Sequence, residues 1–147
     1  MTWLGPVVIA VLIGAALSMQ PVINSVSAGI LNSAFAAATF SLLLSAVTVF
    51  ALWWFSGAPT RPGQIFDLPW WAIFGGLIGA AFVSGGAILV PVMGATAFFV
   101  CLIAGQLAGS VLADTFGVFG LEPRALSIQK LAGVALAFTG AVLVRWS

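Results

Sequence analysis

The chain has 147 residues, of which 63% are hydrophobic and 5% are charged, with a formal net charge of +1, and its mean hydropathy is +1.26. A soluble domain carries roughly a quarter charged residues, so this chain lacks the polar surface to cover a water-exposed fold. Four Lys/Arg without a cluster exclude a nucleic-acid binder, and the absence of His beside a lone Cys101 leaves no imidazole metal site, no disulfide and no Cys/His catalytic pair within one chain.

The composition therefore predicts an all-α membrane protein, with no cofactor, no metal and no enzymatic centre. A crossing helix needs about 20 mostly apolar residues, and five stretches qualify, giving one five-span domain over residues 1–147. The first is 3–25. Its leading residues, MTWLGP, lack the basic segment of a signal peptide, so the span is read as retained. Gln20 and Asn24 lie four apart and share a face. Pro21 between them frees the carbonyl near Leu17 and kinks the helix.

The second span is 33–55, with Ala34, Ala38, Ser41 and Ser45 as small residues on one face and Trp53 and Trp54 at its end. A connection with Pro59, Arg61, Pro62, Asp67 and Pro69 follows. The third span, 70–90, opens on Trp70 and Trp71 and carries Gly75, Gly79 and Gly86, with Gly76 and Gly85 beside them. Pro91 and Gly94 are expected to break it from the fourth as a tight helical hairpin.

The fourth span is 95–113. Gly105 and Gly109 form a small-residue spacing suited to close helix packing. Phe99, Gln106, Ser110 and Asp114 form one stripe: an aromatic ring, a mid-depth carboxamide, a hydroxyl, and a carboxylate at the membrane edge. Cys101 reads as a small buried apolar residue. The next connection is apolar, with Phe116, Val118, Phe119 and Leu121 placed at the interface or partly re-entrant, and it shares Asp114, Glu122 and Arg124. The fifth span, 128–146, carries Gly133, Ala137 and Gly140 on one face. All six Trp, including Trp3 and Trp146, fall near predicted span ends, where an indole buries its ring and keeps its N–H wet.

Five spans place Arg61, Arg124 and Lys130 on the side of the N-terminus and Arg145 on the other, a weak lean towards N-terminus inside. The odd count has a consequence. Many transporters are two similar halves of opposite orientation with the substrate at their interface near the midplane. An odd-span unit supplies that symmetry when two copies assemble upside down, giving a ten-helix inverted dimer.

Polar groups inside lipid are costly unless paired, so Gln20, Asn24 and Gln106 are the first functional candidates. One reading makes them interhelical glue and the other makes them substrate contacts, with Ser110 and Phe99 extending the site and Asp114 and Pro21 at its mouth or gate. Asp114 also reads as a cap of a helix end. The glycines Gly75, Gly79, Gly105, Gly109 and Gly133 read as helix packing. No Asp, Glu, Lys or Arg lies in the middle of a span. The expected solute is thus a neutral, zwitterionic or modestly polar small molecule, or a cation held by carbonyls and aromatic faces.

Several features, in order, resemble the YdcZ-like inner-membrane exporters of the drug/metabolite transporter superfamily. They are Gly14 with Gln20-Pro21-Val22-Ile23-Asn24, Pro69-Trp70-Trp71 with Gly75-Gly76-Leu77-Ile78-Gly79-Ala80, Pro91-x-x-Gly94-Ala95, Gly105-Gln106, Asp114-x-Phe116-Gly117, and Gly133. The resemblance covers essentially the whole chain. It implies a five-span unit equivalent to half of a ten-span transporter, in the bacterial inner membrane. Such members occur as single dual-orientation proteins, as oppositely oriented pairs and as fusions. It also implies export of a small molecule. Thr115 departs from the pattern, which leads one to expect histidine between Asp114 and Phe116. The rival from another class is a non-transporting scaffold or assembly subunit whose glycine faces dock other spans.

Overall fold

In lipid every backbone N–H and C=O must be paired within its own segment, so long apolar runs fold as helices. The computed structural model describes residues 4–57 and 63–145, apart from the Arg145 side chain. It contains α1 (Leu4–Leu31), α2 (Ala34–Ser56), α3 (Ile73–Met93), α4 (Ala95–Phe116) and α5 (Ile128–Arg145), with short 3-10 turns at Gln64–Asp67, Trp70–Ala72 and Val118–Gly120. The expectations attached to Trp3, Pro59, Arg61, Pro62, Trp146 and the Arg145 side chain lie outside the described residues. Among the described residues, four helical stretches, α1, α2, Trp70–Met93 and α4, are long and apolar enough to cross a membrane, and the apolar part of α5, Ile128–Val144, is shorter. Large apolar side chains such as Leu12, Phe40, Leu43, Ile78 and Leu136 are exposed, as a lipid-facing surface requires.

The chain divides into two compact units, Met1–Val92 and Met93–Ser147. In the first, α1 runs six residues past the predicted end at Ser25. Its late polar residues do not stop it, because Ser25 and Ser27 donate their hydroxyls to the Val22 and Ile23 carbonyls at 2.7 and 3.0 Å. Pro21 also lies inside the helix. The stop comes at Asn32, left-handed at φ 52, and the Ser33 N–H donates to the Ala28 carbonyl at 3.1 Å to close the last turn. Ser33 then caps α2, its Oγ accepting from the Ala36 N–H at 3.2 Å. Two pairs set the register of this antiparallel hairpin: Ala28 with Ser33, and Gln20 with Ser41 eight residues further along each helix. The same register brings Asn24 level with Ala37, which is buried.

Pro91 was expected between spans and instead sits in the last turn of α3. Near a helix end its missing N–H costs one hydrogen bond, so the helix tolerates it. The break falls at Gly94, whose φ 80 and ψ 156 suit only glycine. Its carbonyl accepts the Phe98 N–H at 3.1 Å and so starts α4.

In the second unit α4 and α5 form an antiparallel hairpin. A Cβ on Gly140 would sit 3.9 Å from Val100 Cγ1, an ordinary packing distance. Helix α4 runs through Phe116, three residues past its predicted end, so Asp114 belongs to the helix and not to the connection. It ends at Gly117, left-handed at φ 59, with the Gly117 N–H donating to the Ala113 carbonyl. Any side chain there would collide with the connector, since a Cβ would lie 2.7 Å from the Leu121 carbonyl oxygen and 2.7 Å from Pro123 Cγ. The connector folds back on α4 through the Arg124 N–H, which donates to the Asp114 carbonyl at 2.7 Å. Ser127 starts α5, its Oγ accepting from the Lys130 N–H at 3.3 Å.

Candidate solute-binding site

The polar residues singled out in the sequence divide between the two units. Gln20, Pro21 and Asn24 lie on α1 in the first, and Phe99, Gln106, Ser110 and Asp114 lie on α4 in the second.

On α1, Pro21 is fully buried and Asn24 is 4% exposed. The small residues Ala37 and Ala38 on α2 are buried as well. Gln20 is half-buried, and its Nε2 donates to Ser41 Oγ at 3.4 Å, a long and weak hydrogen bond. The Asn24 amide Nδ2 is buried with no acceptor among the described residues. A buried donor without a partner costs about 1–3 kcal/mol. Pro21, three residues before Asn24, cannot donate to the Leu17 carbonyl, so this turn also holds a backbone acceptor without its usual helix partner. The segment thus offers donors and acceptors that α1 and α2 do not consume. Ser41 entered the sequence reading only as a small packing residue. Its place beside Gln20 follows from the two-residue turn at Asn32 and Ser33, which spacing in the apolar runs does not reveal.

On α4, Gln106 is exposed near the helix centre, and among the described residues it makes no side-chain hydrogen bond. Ser110 donates its hydroxyl to the Leu107 carbonyl at 2.9 Å. Phe99 is half-buried and meets Phe98 edge to face, with centroids 5.2 Å apart. Asp114 Oδ2 accepts from Lys130 Nζ at 2.9 Å, with about a third of each side chain exposed. A cavity of about 230 Å³ between α4 and α5 gathers Ser110, Asp114, Gln129 and Lys130, with Gly133 on its wall. Gln106 and Phe99 do not line it. Gln129 and the Lys130 partnership escaped the sequence reading. The signal was available: opposite charges sit at the facing ends of two consecutive predicted spans.

A larger groove of about 590 Å³ runs between the other halves of α4 and α5, along Ala97, Cys101, Ala104, Phe138 and Ala141. Cys101 was expected to be buried and is exposed there, because its side of α4 opens onto this groove. At Gly75, Gly79, Gly105, Gly109 and Gly133 a Cβ would meet nothing within 4 Å. Trp53 and Trp54 close α2, and Trp70 and Trp71 precede α3, the span-end positions expected of membrane-interface indoles. No cluster of metal-ligating side chains occurs among the described residues.

A protein-family model described as "Putative inner membrane exporter, YdcZ" matches residues 5–143. No curated protein and no solved structure matches the chain.

Proposed function

Because the chain belongs to the YdcZ inner-membrane exporter family, we propose that it is a five-span secondary transporter that exports a small solute by alternating access at the interface of an inverted dimer. Helix α5 serves as the fifth crossing: its 18 residues span about 27 Å, close to a hydrocarbon core of about 30 Å. An odd number of crossings puts the two ends of the chain on opposite sides, and an upside-down mate then gives the two-fold relation that alternating access uses. The orientation leans towards N-terminus inside, and a bias this weak is compatible with insertion both ways up.

The observation that carries the reading is Asn24, an amide almost wholly buried at a membrane-spanning helix and without an acceptor for its Nδ2. Unpaired intramembrane polar groups mark substrate paths. In this reading Gln20 and Asn24 take the solute's polar groups, with Pro21 shaping the turn. In the second unit, Gln106, Ser110 and Phe99 are the proposed solute contacts, and Asp114 is the proposed mouth residue. Carboxamides donate and accept without carrying charge, which suits a neutral, zwitterionic or modestly polar molecule. The glycines Gly75, Gly79, Gly105, Gly109 and Gly133, open in a single chain, pack against the mate or the lipid.

The test has two arms. A thermal-shift panel of amino acids, neutral polar solutes and organic cations in detergent identifies a binder, since a ligand specific for the folded form raises its melting temperature. Proteoliposome flux of that binder is then measured for the native chain and for Gln20→Leu and Asn24→Leu. Loss of flux with retained folding supports the site, whereas unchanged flux removes both residues from it. A stable complex with a different protein, together with no flux of any binder, would favour a scaffold subunit instead.

A further inference from the structure

The stripe of α4 that contains Gln106 carries a size pattern that the solute path does not explain. Residues three, four and seven positions away share its face. On the N-terminal side these are Ile103, Leu102 and Phe99, all bulky. On the C-terminal side they are Gly109, Ser110 and Ala113, all small. Ile103, Gln106, Gly109 and Ser110 are exposed, and Phe99, Leu102 and Ala113 are half-buried. A Cβ on Gly109 would meet open space. Ser110 is satisfied by its own helix, so Gln106 is the polar side chain on this stripe left without a partner among the described residues.

We propose that this stripe is the seat of a second copy of the chain, bound upside down, with Gln106 facing Gln106 of the mate at the two-fold axis. An axis lying in the membrane plane passes through mid-depth, so only a residue at the centre of a span can meet its own counterpart there. Gln106 lies eleven residues after Ala95 and ten before Phe116, the two ends of α4. Two carboxamides are electrostatically complementary, each N–H facing the other's C=O. With α4 antiparallel to its copy about Gln106, Ile103 meets Gly109, Leu102 meets Ser110 and Phe99 meets Ala113. Every bulky side chain then has a small one opposite, and the backbones approach evenly along the contact. A parallel pair on the same stripe would set Phe99 on Phe99 and Ile103 on Ile103 at one end and leave a gap around Gly109 at the other, where the lining atoms lose their contacts. A carboxamide pair still leaves a donor and an acceptor free on each side, so the contact is compatible with a solute path alongside it.

This inference rests on the inverted-dimer reading above and adds the surface and the register. Its test is disulfide trapping in membranes of cells that express the full chain, in a Cys101→Ala background. Two differently tagged copies are co-expressed, one with Ile103→Cys and the other with Gly109→Cys. Phe99→Cys with Ala113→Cys is the second pair, in case cysteine at Gly109 disturbs folding. The expected result is a mixed-tag disulfide dimer for both pairs, none for any of the four variants expressed alone, and a dimer for Gln106→Cys alone. Self-dimers of Ile103→Cys or Ala113→Cys without mixed product would indicate a same-way-up pair and overturn both this inference and the inverted dimer. A failure of both mixed pairs, with C-terminal reporters on both sides of the membrane and a dimeric mass in detergent, would overturn the α4 contact while the inverted dimer stands.

Discussion

Lys130 Nζ lies 2.9 Å from Asp114 Oδ2 and ties the first turn of α5 to the last turn of α4. Each charge sits at the wrong end of its own helix. A carboxylate near a helix C-terminus and an ammonium near an N-terminus both oppose the helix dipole. The pair is therefore mutual compensation, and neither residue is favoured where it stands without the other.

Removing one partner should accordingly cost more than removing both. Asp114→Asn and Lys130→Met are each expected to lower the melting temperature in detergent, and the double variant should recover part of the loss. Because the pair is about one-third exposed, raising the salt concentration should erode its contribution in the native chain and do little in the double variant. Additive single losses would mean that the two side chains act independently.

Gly117→Ala should destabilise the α4–α5 hairpin. The left-handed backbone alone costs roughly 1–2 kcal/mol for a residue with a Cβ, and the added carbon would sit 2.7 Å from the Leu121 carbonyl oxygen, so the total should exceed that range. Gly105→Ala, where a Cβ meets nothing within 4 Å in one chain, serves as the control. Comparable thermal stability for Gly117→Ala and the native chain would rule out the connector geometry.

Asn24→Leu should separate stability from transport. The Asn24 amide is buried without an acceptor, so replacing it with an apolar group removes a desolvation penalty of about 1–3 kcal/mol. The expected outcome is an equal or higher melting temperature together with lost flux of an identified solute. A drop of several degrees with flux retained would make Asn24 a structural residue.

Ser41→Ala should barely change folding, because the hydrogen bond from Gln20 is 3.4 Å long and interhelical bonds in membranes average about 0.6 kcal/mol. Ser33→Ala should cost more, about 1 kcal/mol, since it removes the cap of α2. Chemical unfolding in mixed micelles distinguishes the two, and the reverse ranking would contradict the turn described at Asn32 and Ser33.

Helix positions were legible in the sequence because hydropathy reports them directly, and the bounds of α2 fall within a residue of the predicted ones. The ends of α1 and α4 were not, because hydroxyls that bond their own helix, as at Ser25 and Ser27, look like loop residues in a sequence. Pro91 misled for a related reason: a proline in a final turn is tolerated, and the adjacent glycine at 94 makes the break. The site residues were chosen as scarce polar groups in apolar spans. That criterion singled out Asn24 and Gln106 as candidates but carried no information on side-chain partners, so the Gln20–Ser41 and Asp114–Lys130 pairs emerged only from the folded chain.

The unequal lengths of α1 and α5 set a mechanical condition on the membrane around them. With 28 residues, α1 is about 42 Å long, and α5 with 18 is about 27 Å. With α5 as the proposed fifth crossing, no single bilayer thickness would match both, so a thick membrane would strain the surroundings of α5 and a thin one would force α1 to lean or protrude. Acyl-chain length in reconstituted vesicles thus becomes a control variable, acting on this protein through mismatch alone and without any change in its chemistry.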